Sequence, residues 1–201
     1  ANPVFHAGGT VLVARAFDPA TTLKMINDPA VGLTHFFGVP AHYPFMAQEP
    51  AFASPDFSRL QVAGVGGAAM PVPVLETWIA KGLAILQGYG MTETSPAVLA
   101  LGRADAARKV GSSGRPLLHT EIRIVDEYGQ DVAPGKLGEL WVRGPNITPG
   151  YWNNPQANRN SFTDGWLHTG DAVREDDEGF VYIVDRTKDM YISGGENVYP
   201  A

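Results

Sequence analysis

The stretch Gln87–Pro96, QGYGMTETSP, carries most of the information about the fold. It follows the apolar run Leu83–Leu86 and places a tyrosine between two glycines, ahead of a Thr-Glu-Thr sequence. Glycines at the carboxyl end of a strand let a ligand approach the backbone closely, as in the phosphate-binding turns of α/β sheets. The sequence therefore predicts a ligand-binding turn at the end of a buried strand.

The side chains of this turn suit a nucleotide. Tyr89 can offer its ring face to a planar base, and the Thr92 hydroxyl can donate a hydrogen bond to a phosphate oxygen. Glu93 is a hard oxygen ligand of the kind that holds Mg²⁺. The other interpretation is a glycine-rich turn in which Thr92 or Thr94 caps a short helix. The local sequence alone leaves both interpretations open.

Strand and helix patterns alternate around the turn, from about residue 10 to residue 110. Asp18 and Pro19 have the residue types of a helix N-cap and first helical position. Buried strands are predicted at Thr10–Ala14, Thr34–Phe37, Val62–Val65 and Leu83–Gln87, and helices at Ala20–Asn27, Pro40–Gln48 and Val72–Lys81. This alternation predicts an α/β unit over residues 1–110, a mainly parallel sheet with flanking helices.

The pattern changes after residue 110. Short alternating or β-branched runs, separated by Gly, Pro and Asp clusters, occur at Glu121–Val125, Gly138–Val142 and Gly179–Val184. Such runs are typical of antiparallel strands. We therefore expect a small antiparallel β-barrel-like subdomain over residues 111–185.

The composition excludes several classes of protein. The 201 residues include 23 Gly and 16 Pro, which indicates many turns and argues against a helical bundle. With no cysteine there is no disulfide framework, no cysteine zinc site and no thiol nucleophile, a count compatible with the cytoplasm. The net charge of −6 disfavours a nucleic-acid partner. The chain has no apolar run of the roughly 20 residues that a membrane helix needs.

Six groups of residues, in order along the chain, resemble the adenylate-forming acyl-CoA synthetase superfamily, which also includes luciferases and nonribosomal-peptide adenylation domains. They are Pro3–Gly9 (PVFHAGG), Gly66–Pro71 (GGAAMP), Gln87–Thr94 (QGYGMTET), Gly114–Pro116 with Gly138–Gly144 (GELWVRG), Leu167–Asp171 (LHTGD), and Asp185–Asp189 with Ile192–Pro200. The ending SGGENVYP favours the fatty-acid or aryl-acid branch. Two departures are His168, where the family usually has Arg, and Met70, where Pro is common.

The resemblance implies a nucleotide site. Tyr89 would stack on adenine, Thr92 and Glu93 would serve the catalysed step, and Glu93 would also coordinate Mg²⁺. Asp171 would accept hydrogen bonds from both ribose hydroxyls, and Arg186 would add positive charge near the ribose or phosphate. The implied nucleotide contacts are Gly67, Ala68, Gly88, Tyr89, Gly90, Met91, Thr92, Asp171 and Arg186. From the local sequence alone, the alternative for Asp171 is a turn residue, and for Arg186 it is a surface partner of Asp185 or Asp189.

Two further sites follow from the same resemblance. Lys188 aligns with the pivot of the family's small C-terminal domain, and Gly194 and Gly195 would line the path of coenzyme A. A solvated lysine and a two-residue hairpin are the plainer interpretations. His6, Phe37 and Gly38 would border the pocket for a hydrophobic carboxylic acid, although a structural histidine is equally compatible with His6. Trp152 and Trp166 are predicted to serve packing.

The implied parent enzyme is an ATP-dependent carboxylate–CoA ligase that forms an acyl-adenylate and then a thioester. We expect this chain to be a central fragment, with residues 186–201 as hinge and start of the C-terminal domain. The family's phosphate loop would precede Ala1, and its C-terminal lysine would follow Ala201. The alternatives are a noncatalytic nucleotide-binding or interaction module, an adenylation domain and a luciferase-like enzyme. The oligomeric state is left open.

Overall fold

The computed structural model describes the backbone of residues 2–186, 191–193 and 196–198, and the side chains of residues 4–184. Over this part of the chain, the α-helices are α1 (Asn2–His6), α2 (Pro19–Asn27), α3 (His42–Ala47), α4 (Val72–Ile79) and α5 (Pro155–Ser161). Asp18 caps α2 by accepting a hydrogen bond from the Thr21 N–H at 2.7 Å, with Pro19 in the first turn, as predicted.

The strands of the described residues form two five-stranded sheets and one hairpin. The first sheet contains β1 (His35–Gly38), β2 (Val62–Val65), β3 (Leu86–Gly90), β4 (Ala97–Ala100) and β5 (Arg115–Pro116). The second contains β6 (Glu121–Val125), β7 (Gly138–Arg143), β8 (Phe162–Thr163), β9 (Trp166–Glu175) and β10 (Val181–Arg186). The hairpin pairs β11 (Tyr191–Ser193) with β12 (Glu196–Val198).

The first sheet has the order β1-β2-β3-β4-β5 and changes direction at β3. β1, β2 and β3 run parallel, with Phe37 opposite Gly64 and Val65 opposite Gln87. β4 returns antiparallel beside β3, and β5 follows antiparallel beside β4. The carboxyl ends of β2 and β3 therefore lie side by side, which is where ligands bind in open α/β sheets.

The second sheet is antiparallel throughout, with the order β10-β9-β7-β6 and β8 paired to β9. Its inner side chains, among them Leu140 and Val173, share one core with Val98 and Leu99 of β4. The two sheets are consequently joined through β4, directly beside the turn that follows β3. A separate core around Tyr43 and Trp78 packs the helices against the first sheet.

The α/β fold class, with its parallel strands and its second antiparallel sheet, is confirmed. The β2 and β6 predictions match the structure to the residue. Among the helices of the described residues, none has the length and apolar character required to cross a membrane.

Three predictions of local structure are wrong or displaced. Thr10–Ala14 is not a strand, and Val13 is 86% exposed. β-branched residues favour strands only where a neighbouring strand is available for pairing. The strand predicted at Leu83–Gln87 is Leu86–Gly90, and the one predicted at Gly179–Val184 is Val181–Arg186. In both cases the apolar pattern marked burial rather than hydrogen bonding.

The tryptophans and His168 divide between packing and exposure. Trp166 is buried against Val125 and Trp141, as predicted. The packing prediction fails for Trp152, which is 96% exposed. His168 stacks on Trp141, with ring centroids 4.1 Å apart, and lies within hydrogen-bond distance of the Thr163 hydroxyl. The departure at His168 is thus explained by packing in the second sheet.

Candidate functional site

The turn after β3 connects it to its antiparallel neighbour β4, and the pairing of these two strands contains a β-bulge between Tyr89 and Gly90. A Cβ atom at Gly90 would overlap the backbone carbonyl of Pro96, so no larger residue fits there without a backbone shift. Thr92–Thr94 forms a single turn of 3-10 helix, closed by Ser95 in the left-handed region at φ 54°. The glycine is therefore required by close backbone approach.

The buried side chain of Thr94 stabilises this turn through hydrogen bonds to its backbone. The Thr94 hydroxyl accepts a hydrogen bond from the Met91 N–H at 2.9 Å, and the carbonyl oxygens of Met91 and Pro96 are also within reach. Asn146, in the loop after β7, donates from Nδ2 to the carbonyl oxygens of Thr94 and Ala97. Thr94 thus has the structural role, whereas Thr92 stays exposed.

Tyr89 and Asp171 meet across the two sheets. The Tyr89 hydroxyl donates a hydrogen bond to Oδ2 of Asp171 at 2.5 Å, although 82 positions separate them in the chain. Asp171 lies in β9 and is only 7% exposed. A buried carboxylate needs hydrogen-bond donors, and the phenol supplies one of them. This contact unites two residues that the sequence predicted for one site.

The backbone next to Asp171 is held by Glu139, a residue that the sequence interpretation did not identify. Oε1 of Glu139 accepts a hydrogen bond from the Gly170 N–H at 2.9 Å, and Oε2 accepts one from the Trp141 indole at 3.1 Å. The Thr169 hydroxyl donates to the Leu140 carbonyl at 2.7 Å and accepts from the Asp171 N–H at 3.1 Å. Side chains of β7 and β9 therefore fix the peptide that carries Asp171.

Glu93 is held by the segment after β7. Its backbone carbonyl accepts a hydrogen bond from the Thr148 N–H at 2.7 Å. Its side-chain Oε1 accepts one from the Tyr151 hydroxyl at 2.9 Å. Burial raises the pKa of Tyr151, and the hydrogen bond to Glu93 acts in the same direction. Tyr151 is a second residue that the sequence interpretation did not identify.

The Gly66–Met70 loop lies beside β3 through Gln87. The buried Gln87 amide accepts a hydrogen bond from the Met70 N–H at 3.0 Å and donates one to the Ser112 carbonyl at 3.0 Å. Gly67 adopts a φ of 90°, a conformation that favours glycine. A Cβ atom at Gly66 would lie 3.5 Å from the carbonyl oxygen of Gly88. The predicted contacts Gly67, Ala68 and Gly88 thus belong to neighbouring strand ends.

The three residues predicted to border the acid pocket lie on two elements: Phe37 and Gly38 belong to β1, and His6 belongs to α1. Phe37 is 73% exposed, and its ring fills the space that side chains at Gly64 and Gly66 would need. A Cβ atom at Gly38 would meet His42 and Phe36. His6 is exposed at the end of α1.

The remaining predicted residues are at or beyond the end of the described side chains. The backbone of Arg186 stands opposite Asp171 in the ladder of β9 and β10. Lys188, Gly194 and Gly195 lie outside the described residues.

Comparison with known proteins agrees with this geometry. Residues 1–152 match the family described as AMP-binding enzyme. Feruloyl-CoA synthase from Amycolatopsis sp is 44% identical over 214 residues, which cover 100% of this chain and 43% of that protein. Indoleacetate–CoA ligase from Aromatoleum aromaticum is 41% identical over 200 residues, covering 100% of this chain and 39% of that protein.

Solved structures of CoA synthetases are also similar to this chain. The o-succinylbenzoate CoA synthetase from Bacillus subtilis, in complex with the acyl-adenylate intermediate OSB-AMP, superimposes with a TM-score of 0.87 at 37% identity. That match covers 96% of this chain and 39% of the other. This chain thus spans about two fifths of the length of the relatives that it matches.

Proposed function

The chain belongs to the AMP-binding enzyme family, and from that membership we propose that it is the nucleotide-binding part of an ATP-dependent carboxylate–CoA ligase. The observation that carries the proposal is the hydrogen bond between Tyr89 and Asp171, beside the Gly66–Met70 loop. Together these contacts bring an aromatic ring of β3, a buried carboxylate of β9 and a glycine-containing loop after β2 close to one another. In an adenosine site, the aromatic ring would stack on the base, the carboxylate would bind the ribose hydroxyls, and the loop backbone would contact the edge of the base.

Adenine would lie against the ring of Tyr89. The hydrogen bond to Asp171 restrains this ring before any ligand arrives, so little side-chain entropy is lost on stacking. Stacking of a base on an aromatic ring contributes about 1–3 kcal/mol. Gly67, Ala68 and Gly88 would surround the base with backbone groups, and Gly90 and Met91 would continue the wall toward the phosphate.

The ribose would lie at Asp171. An ionised carboxylate can accept hydrogen bonds from both ribose hydroxyls, and such charged hydrogen bonds are stronger than neutral ones. Glu139 and Thr169 hold the peptide on which this carboxylate stands. Arg186 would contribute its charge from the neighbouring strand.

The phosphates would lie over the turn that carries Thr92 and Glu93. The described residues contain no group of three or more His, Cys, Asp or Glu side chains able to hold a metal ion. A single carboxylate beside phosphate suits Mg²⁺, which proteins bind through one or two carboxylates together with substrate phosphates. Bound there, Mg²⁺ would offset negative charge on the phosphate oxygens. Thr92 is exposed on the same turn, and its hydroxyl would donate a hydrogen bond to a phosphate oxygen.

The acid would approach from the side of β1. Phe37 and Gly38 would form an apolar wall for a hydrophobic or aryl carboxylic acid, with His6 as a further contact. The carboxylate oxygen would attack the α-phosphorus of ATP, releasing pyrophosphate and leaving an acyl-adenylate. The thiol of coenzyme A would then attack the acyl carbon, and AMP would leave as the thioester forms.

The other parts of the proposal concern the chain as a whole. Residues 1–110 would bind adenine and acid, residues 111–185 would form the small β subdomain, and residues 186–201 would contain the hinge. Lys188 would be its pivot, and Gly194 and Gly195 would leave room for the coenzyme A arm. A cytoplasmic location fits a reaction that consumes ATP and coenzyme A.

Calorimetric titration of AMP into this chain tests the proposal. Wild type should bind AMP at least about tenfold more tightly than Asp171→Ala, because charged hydrogen bonds contribute about 1.5–3 kcal/mol each. Asp177→Ala is the matched control, since Asp177 is an exposed aspartate in the turn between β9 and β10. Equal binding by wild type and Asp171→Ala would contradict the nucleotide site.

A further inference from the structure

The Tyr151 side chain contacts the Glu93 side chain directly. The phenol hydroxyl donates a hydrogen bond to Oε1 of Glu93 at 2.9 Å, across 58 positions of sequence. The same stretch of chain contacts the backbone of Glu93 through Thr148. Glu93 is thus restrained twice, once at its peptide and once at its carboxylate.

Tyr151 is itself held in place. The Asn158 side chain accepts a hydrogen bond from the Tyr151 N–H at 2.6 Å and donates one to the Tyr151 carbonyl at 3.2 Å. Asn158 belongs to α5, which Asn154 caps by accepting from the Ala157 N–H at 3.1 Å. The chain of contacts therefore runs from a capped helix through Asn158 and Tyr151 to the carboxylate.

The physical effect of this contact is to reduce the freedom of a long side chain. A glutamate has several rotatable bonds, and ordering it on ligand binding costs free energy. A hydrogen bond that already orients the carboxylate removes part of that cost, as outer partners of metal ligands do in general. Because the phenol uses Oε1, the carboxylate would meet a cation through Oε2.

On this basis we infer that Tyr151 is a positioning residue, which orients Glu93 toward the Mg²⁺ that accompanies the phosphates of ATP. The inference rests on the proposed nucleotide site. It assigns the segment after β7 a part in nucleotide binding, although neither Tyr151 nor Asn158 would touch the nucleotide.

The test compares ATP binding to this chain by calorimetry, with Mg²⁺ present and with Mg²⁺ removed by a chelator. In wild type, Mg²⁺ should tighten ATP binding. Tyr151→Phe should reduce that Mg²⁺-dependent gain by about tenfold, the lower end of the effect of removing an outer partner of a metal ligand. AMP affinity measured without Mg²⁺ should stay unchanged. Tyr128→Phe is the matched control, because Tyr128 is 78% exposed.

A second pair of variants separates positioning from general support of the fold. In a Glu93→Gln background, adding Tyr151→Phe should cause no further loss, since the carboxylate through which Tyr151 acts is gone. Asn158→Ala should reproduce part of the Tyr151→Phe effect, with the phenol still present. Thermal unfolding of each variant identifies any that does not fold. The variants that do fold then decide whether Tyr151 positions Glu93 or only supports the fold.

The outcomes distinguish this inference from the proposed function. An unchanged Mg²⁺ gain in Tyr151→Phe, or equal losses in the presence and absence of Glu93, would overturn the role of Tyr151. A loss of AMP affinity as large as the loss of the Mg²⁺ gain would also overturn it, since that pattern marks structural support. Failure of wild type to bind either nucleotide would instead contradict the site itself.

Discussion

The two arms of the candidate site are held in different ways. The strand arm, Thr169–Asp171, lies inside β9 and ends in a buried carboxylate. Its backbone is fixed by Glu139 of the adjacent strand β7. The turn arm, Met91–Thr94, follows β3 and leaves Thr92 exposed. It is fixed by side chains and backbone of the segment after β7.

This difference matches the two tasks that the proposal gives them. The base and ribose are common to ATP, AMP and an acyl-adenylate, so a rigid strand is a suitable support for their contacts. The phosphates change during the reaction, and their proposed contacts are side chains of the turn rather than of the strand that would bind base and ribose. The strand arm should therefore set nucleotide affinity, and the turn arm should set the response to phosphates and Mg²⁺.

The largest expected effect is at Gly90, the last residue of β3, which leads into the turn arm. Gly90→Ala places a methyl group against the Pro96 carbonyl and should lower the free energy of unfolding by at least about 3 kcal/mol, the upper range for overpacking. Gly88→Ala is the matched control in the same strand, because its Cβ would lie 3.6 Å from the Leu99 carbonyl oxygen. Urea unfolding of both variants measures the difference. Equal stabilities would mean that the turn is less tightly closed than described.

Sequence patterns predicted two strands outside the arms to the residue, but β9, which carries the strand arm, was not among the predicted strands. β2 and β6 were identified to the residue because buried β-branched runs bounded by turn residues are strong local signals. The shift from Leu83–Gln87 to Leu86–Gly90 has a physical cause: Leu83 and Ile85 are buried in the core, while strand pairing begins only at Leu86. Hydrophobicity reports burial, and pairing depends on the neighbouring strand.

The residues that support the site were missed for a different reason. Glu139 acts on Gly170 across 31 positions and Tyr151 acts on Glu93 across 58, so no local spacing connects either pair. Both lie in or just after the GELWVRG stretch, which the sequence analysis identified as a family segment without giving its side chains a role. A carboxylate or phenol in such a segment is the signal that could have suggested them.

Breaking the support of the strand arm should have the next largest effect. Glu139→Gln replaces one acceptor oxygen with an N–H₂ group, which then faces a donor from Gly170 or Trp141. A mismatched buried donor costs about 1–3 kcal/mol. We expect a loss of stability in that range and weaker AMP binding, with the Mg²⁺-dependent gain in ATP affinity retained. A loss of that gain with unchanged AMP affinity would reverse the roles assigned to the two arms.

The smallest effect concerns Asp176, the residue that follows β9. Burial tends to raise the pKa of this carboxyl, but hydrogen bonds from Lys109 and from the N–H groups of Phe180 and Glu178 outweigh it and lower the pKa to about 2. A lowered pKa in the folded state stabilises the protein above the unfolded value near 3.8, and this stability is lost as the pH falls toward 2.

Asp176→Asn should therefore be less stable than wild type near neutral pH by about 1–2 kcal/mol, and its stability should fall less steeply as the pH decreases from about 4 to 2. Urea unfolding across that range measures both quantities, with Asp177→Asn as the exposed neighbour for comparison. Parallel pH profiles for wild type and Asp176→Asn would contradict the contribution of the Lys109 contact. AMP affinity should change little, because Asp176 lies in the turn after β9 and has no part in the proposed nucleotide site.

A crystal structure of this chain with AMP bound would locate base, ribose and phosphate independently of any mutation. We expect adenine on the Tyr89 ring beside Gly67 and Ala68, the ribose hydroxyls on the Asp171 carboxylate, and the phosphate over Thr92. AMP bound on another surface, with Tyr89 and Asp171 still joined only to protein groups, would contradict the proposed nucleotide site.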